Sequence, residues 1–296
     1  MIHSRIAPTP SGYLHTGNAF NFVITWLLTR KQDGTLRLRI DDIDSPRAKP
    51  DYLDDIFITL DWLGLDWDEG PHSPDEHNKL FSQVLRGERY DQLISALIQT
   101  RQVFSCSCSR KSLAAQECHC REKKLNIDEP DTALKLYTPV ESWISVSQPG
   151  EEPVELNLYQ QMRDFIIRRR DGIASYQIAS LADDTDLGIN LIVRGKDLLL
   201  STAAQLYLAQ LLGLSAFSKT VFYHHPLLTD EHGEKLSKSA GSTSLKAWRE
   251  SGKTPEEFYL MLSNILKLQQ PLGSLNELLD AVKREVPLLF PGKIEI

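Results

Sequence analysis

Cysteine is scarce in this 296-residue chain: there are four, all between Cys106 and Cys120. None is left to staple the rest of the molecule, which argues against a secreted disulfide scaffold and for metal or redox work at the cluster. Long apolar runs are also missing. The opening MIHSRIAPTPSG has no apolar stretch of a signal peptide, and no later run approaches the roughly 18 residues of a membrane span, so a cytoplasmic protein with no membrane partner is expected. A basic surplus is absent as well. With 33 Lys and Arg against 40 Asp and Glu, the net charge of −7 argues against a protein that coats nucleic acid non-specifically. The chain has no internal repeat and no low-complexity segment.

What is present suits a globular protein. A composition of 41% hydrophobic and 25% charged residues at this length fits two domains, or one domain with a large insertion. Two basic clusters stand against the overall acidity: Arg168, Arg169 and Arg170, and Arg110, Lys111, Arg121, Lys123 and Lys124 around the cysteines. Taken alone, such runs read as solvated faces.

Residues 4–7 form a short first strand, broken by the Pro8-Thr9-Pro10-Ser11-Gly12 turn. Phe22, Val23, Trp26 and Leu27 recur at helical spacing over residues 18–30, and Asp33-Gly34 closes that helix. TLRLRI at 35–40 alternates as a second strand. This β-turn-α-β order opens a parallel α/β sheet of Rossmann type. Further helices are predicted over 51–63, 80–102 and 201–212, further strands over 164–169, 191–194 and 220–224, and an irregular stretch over 126–156. From Leu245 the pattern is helical.

Ligands of such sheets bind beyond the carboxyl ends of the strands. The Pro8 to His15 turn enters a helix N-terminus there, where open N–H groups favour phosphate. Asp41-Asp42-Ile43-Asp44 gathers carboxylates that favour an ammonium group or a divalent cation.

His15-Thr16-Gly17-Asn18 at a helix start, with Lys235-Leu236-Ser237-Lys238-Ser239 far downstream, resembles the paired HIGH and KMSKS signatures of class I aminoacyl-tRNA synthetases. Attack of an amino-acid carboxylate on the α-phosphate of ATP builds charge on phosphoryl oxygens, so catalysis is mainly positioning with cation and N–H donors. The resemblance implies His15, Asn18, Lys235 and Lys238 as catalytic residues, with Gly17 and Ser237 joining them around ATP, which arrives with Mg²⁺. Gly233 and Gly241 would let the second segment close over the triphosphate.

The segment from Arg5 to Gly12, RIAPTPSG, is similar to the RFAPSPTG of the glutamyl-tRNA synthetase branch, and RIDDID at 39–44 to its RIEDxD. The match continues through 163–172, Ser175-Tyr176-Gln177, Asp183-Asp184 and 193–197. It implies a pocket for L-glutamate in which Arg5 pairs with the side-chain carboxylate, Arg194 with the α-carboxylate, and Asp41 and Tyr176 with the ammonium group. Three positions depart from the pattern: Asp41 for the usual glutamate, one methylene shorter; Thr185 for the histidine of DDH; and Ala204 for the arginine of TxRQ, which leaves Thr202 and Gln205.

Cys106-Ser107-Cys108 and Cys118-His119-Cys120 form a C-x-C…C-x-C cluster with nine residues between the pairs. Four thiolates make a closed tetrahedral site for structural Zn²⁺, and His119 could replace one of them. The family carries zinc in the insertion that approaches the tRNA, which makes phosphate contact by the flanking basic residues plausible.

The expected organisation is a catalytic domain over 1–240, interrupted by a zinc-bearing insertion at about 100–160, then a short helical stem-contact-like segment over 241–296, as a monomer. No anticodon-binding domain is expected. This layout resembles the truncated members of the branch, which activate glutamate without tRNA and transfer it to the queuosine base in the anticodon stem-loop of tRNA(Asp). A minimal enzyme charging a tRNA acceptor end, a paralogue with a non-tRNA acceptor, and an inactive nucleotide- or RNA-binding module remain as alternatives.

Overall fold

The computed structural model describes residues 1–44, 49–109, 112, 118–227, 244–268 and 270–284. Its central sheet is four-stranded and parallel, in the order β2 (Thr35–Leu38), β1 (His3–Ile6), β8 (Leu191–Gly195), β9 (Val221–His225). β1 is flanked by its sequence neighbour β2 on one side and by the distant β8 on the other. The crevice beyond the carboxyl ends of β1 and β8 is therefore a topological switch point, where such sheets take ligands.

Helix α1 (Thr16–Arg30) crosses from β1 to β2 and buries Phe20, Phe22, Val23, Ile24, Trp26, Leu27 and Leu28. At about 1.5–3 kcal/mol per large apolar side chain, this burial outweighs what helix propensity contributes. Its interior threonines are satisfied within the helix: Thr25 donates to the Asn21 carbonyl and Thr29 to the Thr25 carbonyl, both at 2.7 Å. Helix α2 (Pro50–Leu63) starts on a proline and stops at Gly64, whose φ of 69° is the left-handed conformation that ends helices.

Two apolar clusters hold the molecule together. One joins α1, α2, β1 and β2 to the C-terminal helices Pro255–Ile265 and Leu275–Arg284 through Phe258, Leu262, Leu275, Leu278 and Val282. The other gathers helices Gly87–Gln99, Tyr176–Asp186 and Leu199–Leu212 with the strands that follow Gln102. An antiparallel sheet of β3 (Val103–Cys106), β4 (Ala133–Leu136) and β7 (Phe165–Arg168) lies beside a hairpin of β5 (Trp143–Val146) and β6 (Val154–Asn157).

Two expectations change. The stretch 126–156, read as irregular, holds β4, β5 and most of β6; each strand is only four residues long, too short for its alternation to stand out, and β4 buries all four residues, Lys135 included. The helix predicted from Leu80 starts at Gly87, after a π turn over His77–Phe81 and a 3-10 turn over Gln83–Arg86. Their side chains are spent on tertiary bonds described below.

Candidate active site

A cavity of about 600 Å³ opens at the switch point. Its lining includes Arg5 from β1, Arg194 from β8, Asp41 from the loop after β2, Tyr176 from the start of its helix, and His15, Gly17 and Asn18 from the start of α1. Seven of the residues singled out from the sequence thus share one pocket. Lys235, Ser237 and Lys238 lie outside the described residues.

His15 is the N-cap of α1. Its Nδ1 accepts from the backbone N–H of Gly17 at 3.0 Å and of Asn18 at 3.3 Å, while Asn18 Oδ1 accepts from the His15 N–H at 3.1 Å. A nitrogen that accepts two hydrogen bonds carries no proton, so the neutral ring holds its proton on Nε2, as a donor. A Cβ at residue 17 would stand 3.0 Å from two ring atoms of His15, so glycine is what lets the imidazole fold back. The N–H groups expected to be open at this terminus are partly used by the cap. The cap therefore leaves fewer backbone donors at this helix start than expected.

Around Arg5 and Arg194, charge is dense and buried. Arg5 is 4% exposed and donates from Nε to Asp184 Oδ1 at 2.8 Å. Arg39 donates from Nη1 to the same oxygen at 2.7 Å and forks onto Asp41 through Nε at 2.6 Å and Nη2 at 3.1 Å. Arg194 donates to Gln205 Oε1 at 2.7 Å and Thr202 Oγ1 at 3.1 Å, and its Nη2 lies 3.6 Å from Asp184 Oδ2. Burial alone would raise the Asp184 carboxyl; the guanidinium groups of Arg39, Arg5 and Arg194 hold it down to about 2. Burial opposes charge on Arg39 as well, but Asp184, Asp41 and Asp183 overcome it and raise its pKa. For Asp41 burial prevails over Arg39, and its carboxyl is raised. The shorter side chain is drawn onto Arg39, in keeping with the lost methylene.

Several of these residues were not given roles from the sequence: Arg39, Asp184, Ser180, and the set that frames Asp183 and Asp42. Asp183 accepts from Gln83 Nε2 and Arg86 Nε, both at 2.7 Å, and from the Tyr90 hydroxyl at 3.0 Å. Asp42 accepts from His77 Nε2 at 2.9 Å, Ser82 Oγ at 2.6 Å and the Gln83 N–H at 2.8 Å. The π and 3-10 turns therefore exist to brace the acidic loop. Gln83, Arg86 and Tyr90 are three and four residues apart, but the turn that carries the first two reads in the sequence as the start of the helix, which hides their convergence on Asp183.

The four cysteines meet in space. Their sulfurs all lie within 4.8 Å of one another, with Cys106–Cys118 at 3.6 Å, Cys108–Cys118 at 3.9 Å and Cys108–Cys120 at 3.4 Å. A tetrahedral ion with Zn–S bonds of about 2.3 Å places its sulfurs about 3.8 Å apart, so the cluster fits zinc. Burial pushes the Cys106 thiol up to about 12, and hydrogen bonds from Ser107 and the neighbouring cysteines bring Cys120 to about 6. His119 is exposed and lies 3.6 Å from Glu122, and the four sulfurs make a full set without it. Of the basic residues, Arg170 is tied to the Ser107 carbonyl at 2.5 Å and Arg169 to Asp44 at 2.8 Å, while Lys123 and Lys124 are exposed. Arg110 and Lys111 lie outside the described residues.

A parallel sheet with a cavity at its switch point, lined by a histidine-capped helix start and two buried arginines, gives an α/β architecture with a pocket whose lining suits anionic groups. The comparisons agree. Residues 1–282 match the family described as tRNA synthetases class I (E and Q), catalytic domain, and the chain belongs to that family of ligase-type enzymes. It is 34% identical to a glutamyl-Q tRNA(Asp) synthetase of Nitratidesulfovibrio vulgaris, over 85% of this chain and 82% of that one. It is 36% identical to a glutamate–tRNA ligase of Anaeromyxobacter, over 85% of this chain but 55% of that one. A crystal structure of glutamate–tRNA synthetase from Elizabethkingia anophelis superposes with a TM-score of 0.76 at 22% identity, covering 94% of this chain and 65% of that one, which shows the common fold. Among the described residues no helix is long and apolar enough to cross a membrane.

Proposed function

We propose that the chain activates L-glutamate with ATP, without tRNA, and transfers it to queuosine in the anticodon of tRNA(Asp). The observation that carries this reading is one cavity lined both by the buried Arg5 and Arg194 and by the His15 cap. Glutamate has two carboxylates and one ammonium group, and two arginines with Asp41 and Tyr176 supply one partner for each. An α-carboxylate held by Arg194 would attack the α-phosphate of ATP, delivered with Mg²⁺. A bond forms from carboxylate oxygen to phosphorus, and pyrophosphate leaves with the electron pair of the broken bond. His15 Nε2–H donates to the phosphoryl oxygens as their charge grows, and Lys235 and Lys238 serve the leaving group.

Cys106, Cys108, Cys118 and Cys120 would hold a zinc ion that supplies structural cross-linking of the insertion. For the acceptor, support comes from the N. vulgaris relative, matched across most of its length and named for tRNA(Asp). The test is transfer of labelled glutamate to tRNA(Asp) with and without queuosine, beside tRNA(Glu). Labelling of the queuosine form alone is expected. Labelling of tRNA(Glu) instead would make this a ligase for the acceptor end.

A further inference from the structure

Asp184 lies on the Tyr176–Asp186 helix, fully buried, behind the wall of the cavity rather than in it. Its two oxygens meet three guanidinium groups. Oδ1 accepts from Arg5 Nε at 2.8 Å and Arg39 Nη1 at 2.7 Å, and Oδ2 lies 3.6 Å from Arg194 Nη2. Ser180 Oγ sits between the groups, 3.4 Å from Asp184 Oδ2 and 3.4 Å from Arg194 Nη2. Arg39, held in this way, forks onto Asp41. The preceding residue fixes the hub itself: Asp183 is locked by Gln83, Arg86 and Tyr90, so the helix cannot slide without breaking that set.

We propose that Asp184 is the positioning residue of the amino-acid pocket: it orients Arg5 directly, Asp41 through Arg39, and Arg194 by charge and through the shared Ser180. This rests on the reading of the pocket as a glutamate site. A free guanidinium samples many rotamers, whereas that of Arg5, whose Nε and Nη2 both reach Asp184, presents its remaining edge in one direction, and that geometry suits carboxylate recognition; Arg194 is held by Gln205, Thr202 and Ser180, with Asp184 3.6 Å from its Nη2.

The test is ATP–pyrophosphate exchange by the full chain, with glutamate and ATP varied separately, in wild type, D184N and D184E. D184E keeps the charge but moves the carboxylate by one methylene, a displacement of order 1 Å, for which a loss of about 100-fold in kcat/KM for glutamate is expected. D184N should lose at least as much. In both, KM for ATP stays at the wild-type value, a split that a general loss of structure would not give. Should D184N fail to fold because its arginines are left unneutralised, D184E decides alone. A D184E enzyme with wild-type kcat/KM for glutamate would overturn the inference, since the carboxylate would then only neutralise charge. Parallel loss for glutamate and ATP would overturn it too. Absence of glutamate-dependent exchange in the wild type would instead remove the functional reading on which it rests.

Discussion

His224 is the residue whose titration most directly reports the buried polar layer behind the pocket. It stands on β9 in register with Arg194, 3% exposed, with Nε2 2.9 Å from Thr202 Oγ1 and its ring stacked on Phe222. Burial, reinforced by Arg194, His225 and Lys196, pushes its pKa from 6.5 down to about 4. The folded chain therefore leaves this imidazole neutral where the unfolded chain protonates it, and stability falls as pH drops from 6.5 towards 4. The gap between the two values is worth ~3 kcal/mol, most of it already lost near pH 4.5. Replacing the ring by an amide, H224Q, removes that titration. Denaturant unfolding followed from about pH 7.5 to about pH 4.5 should show the wild type losing ~2–3 kcal/mol more than the variant. Parallel stability curves would refute the claim that His224 is held neutral by burial.

Three further outcomes follow from the geometry. Arg5→Ala should abolish glutamate-dependent exchange while equilibrium ATP binding persists; unchanged glutamate dependence would remove Arg5 from amino-acid recognition. Gly17→Ala places a methyl 3.0 Å from the His15 ring, and displacing that donor should lower kcat by about 10²-fold; an unaffected kcat would mean the cap does not set the imidazole. The Cys106→Ser/Cys118→Ser double variant should purify without zinc and melt earlier than wild type, and undiminished zinc in that variant would sink the proposed metal site.

The parts of the fold that came through in the sequence are those with long patterns. The first β-α-β unit was readable because α1 repeats apolar residues over four turns and ends in Asp33-Gly34. The C-x-C pairs were readable because their spacing has few other uses. The strands after Asn126 were not, since four residues with a buried Lys135 give no period. The proposed amino-acid site was half visible. Arg5, Asp41, Tyr176 and Arg194 stood out by resemblance, but their mutual arrangement depends on Asp184 and Arg39, which are 145 residues apart in the chain. Such long-range charge pairing leaves no local signature, and the brace around Asp183 is hidden in turns that mimic the start of a helix.

The central claim, that Arg5 and Arg194 frame a glutamate beside ATP, is tested most directly by ATP–pyrophosphate exchange without RNA, with glutamate, glutamine and aspartate compared. Exchange is predicted with glutamate alone, because the amide would leave Arg5 facing a neutral group and aspartate is one methylene shorter than the ligand the pocket is proposed to hold. Exchange driven equally by glutamine, or by none of the three, would contradict the account.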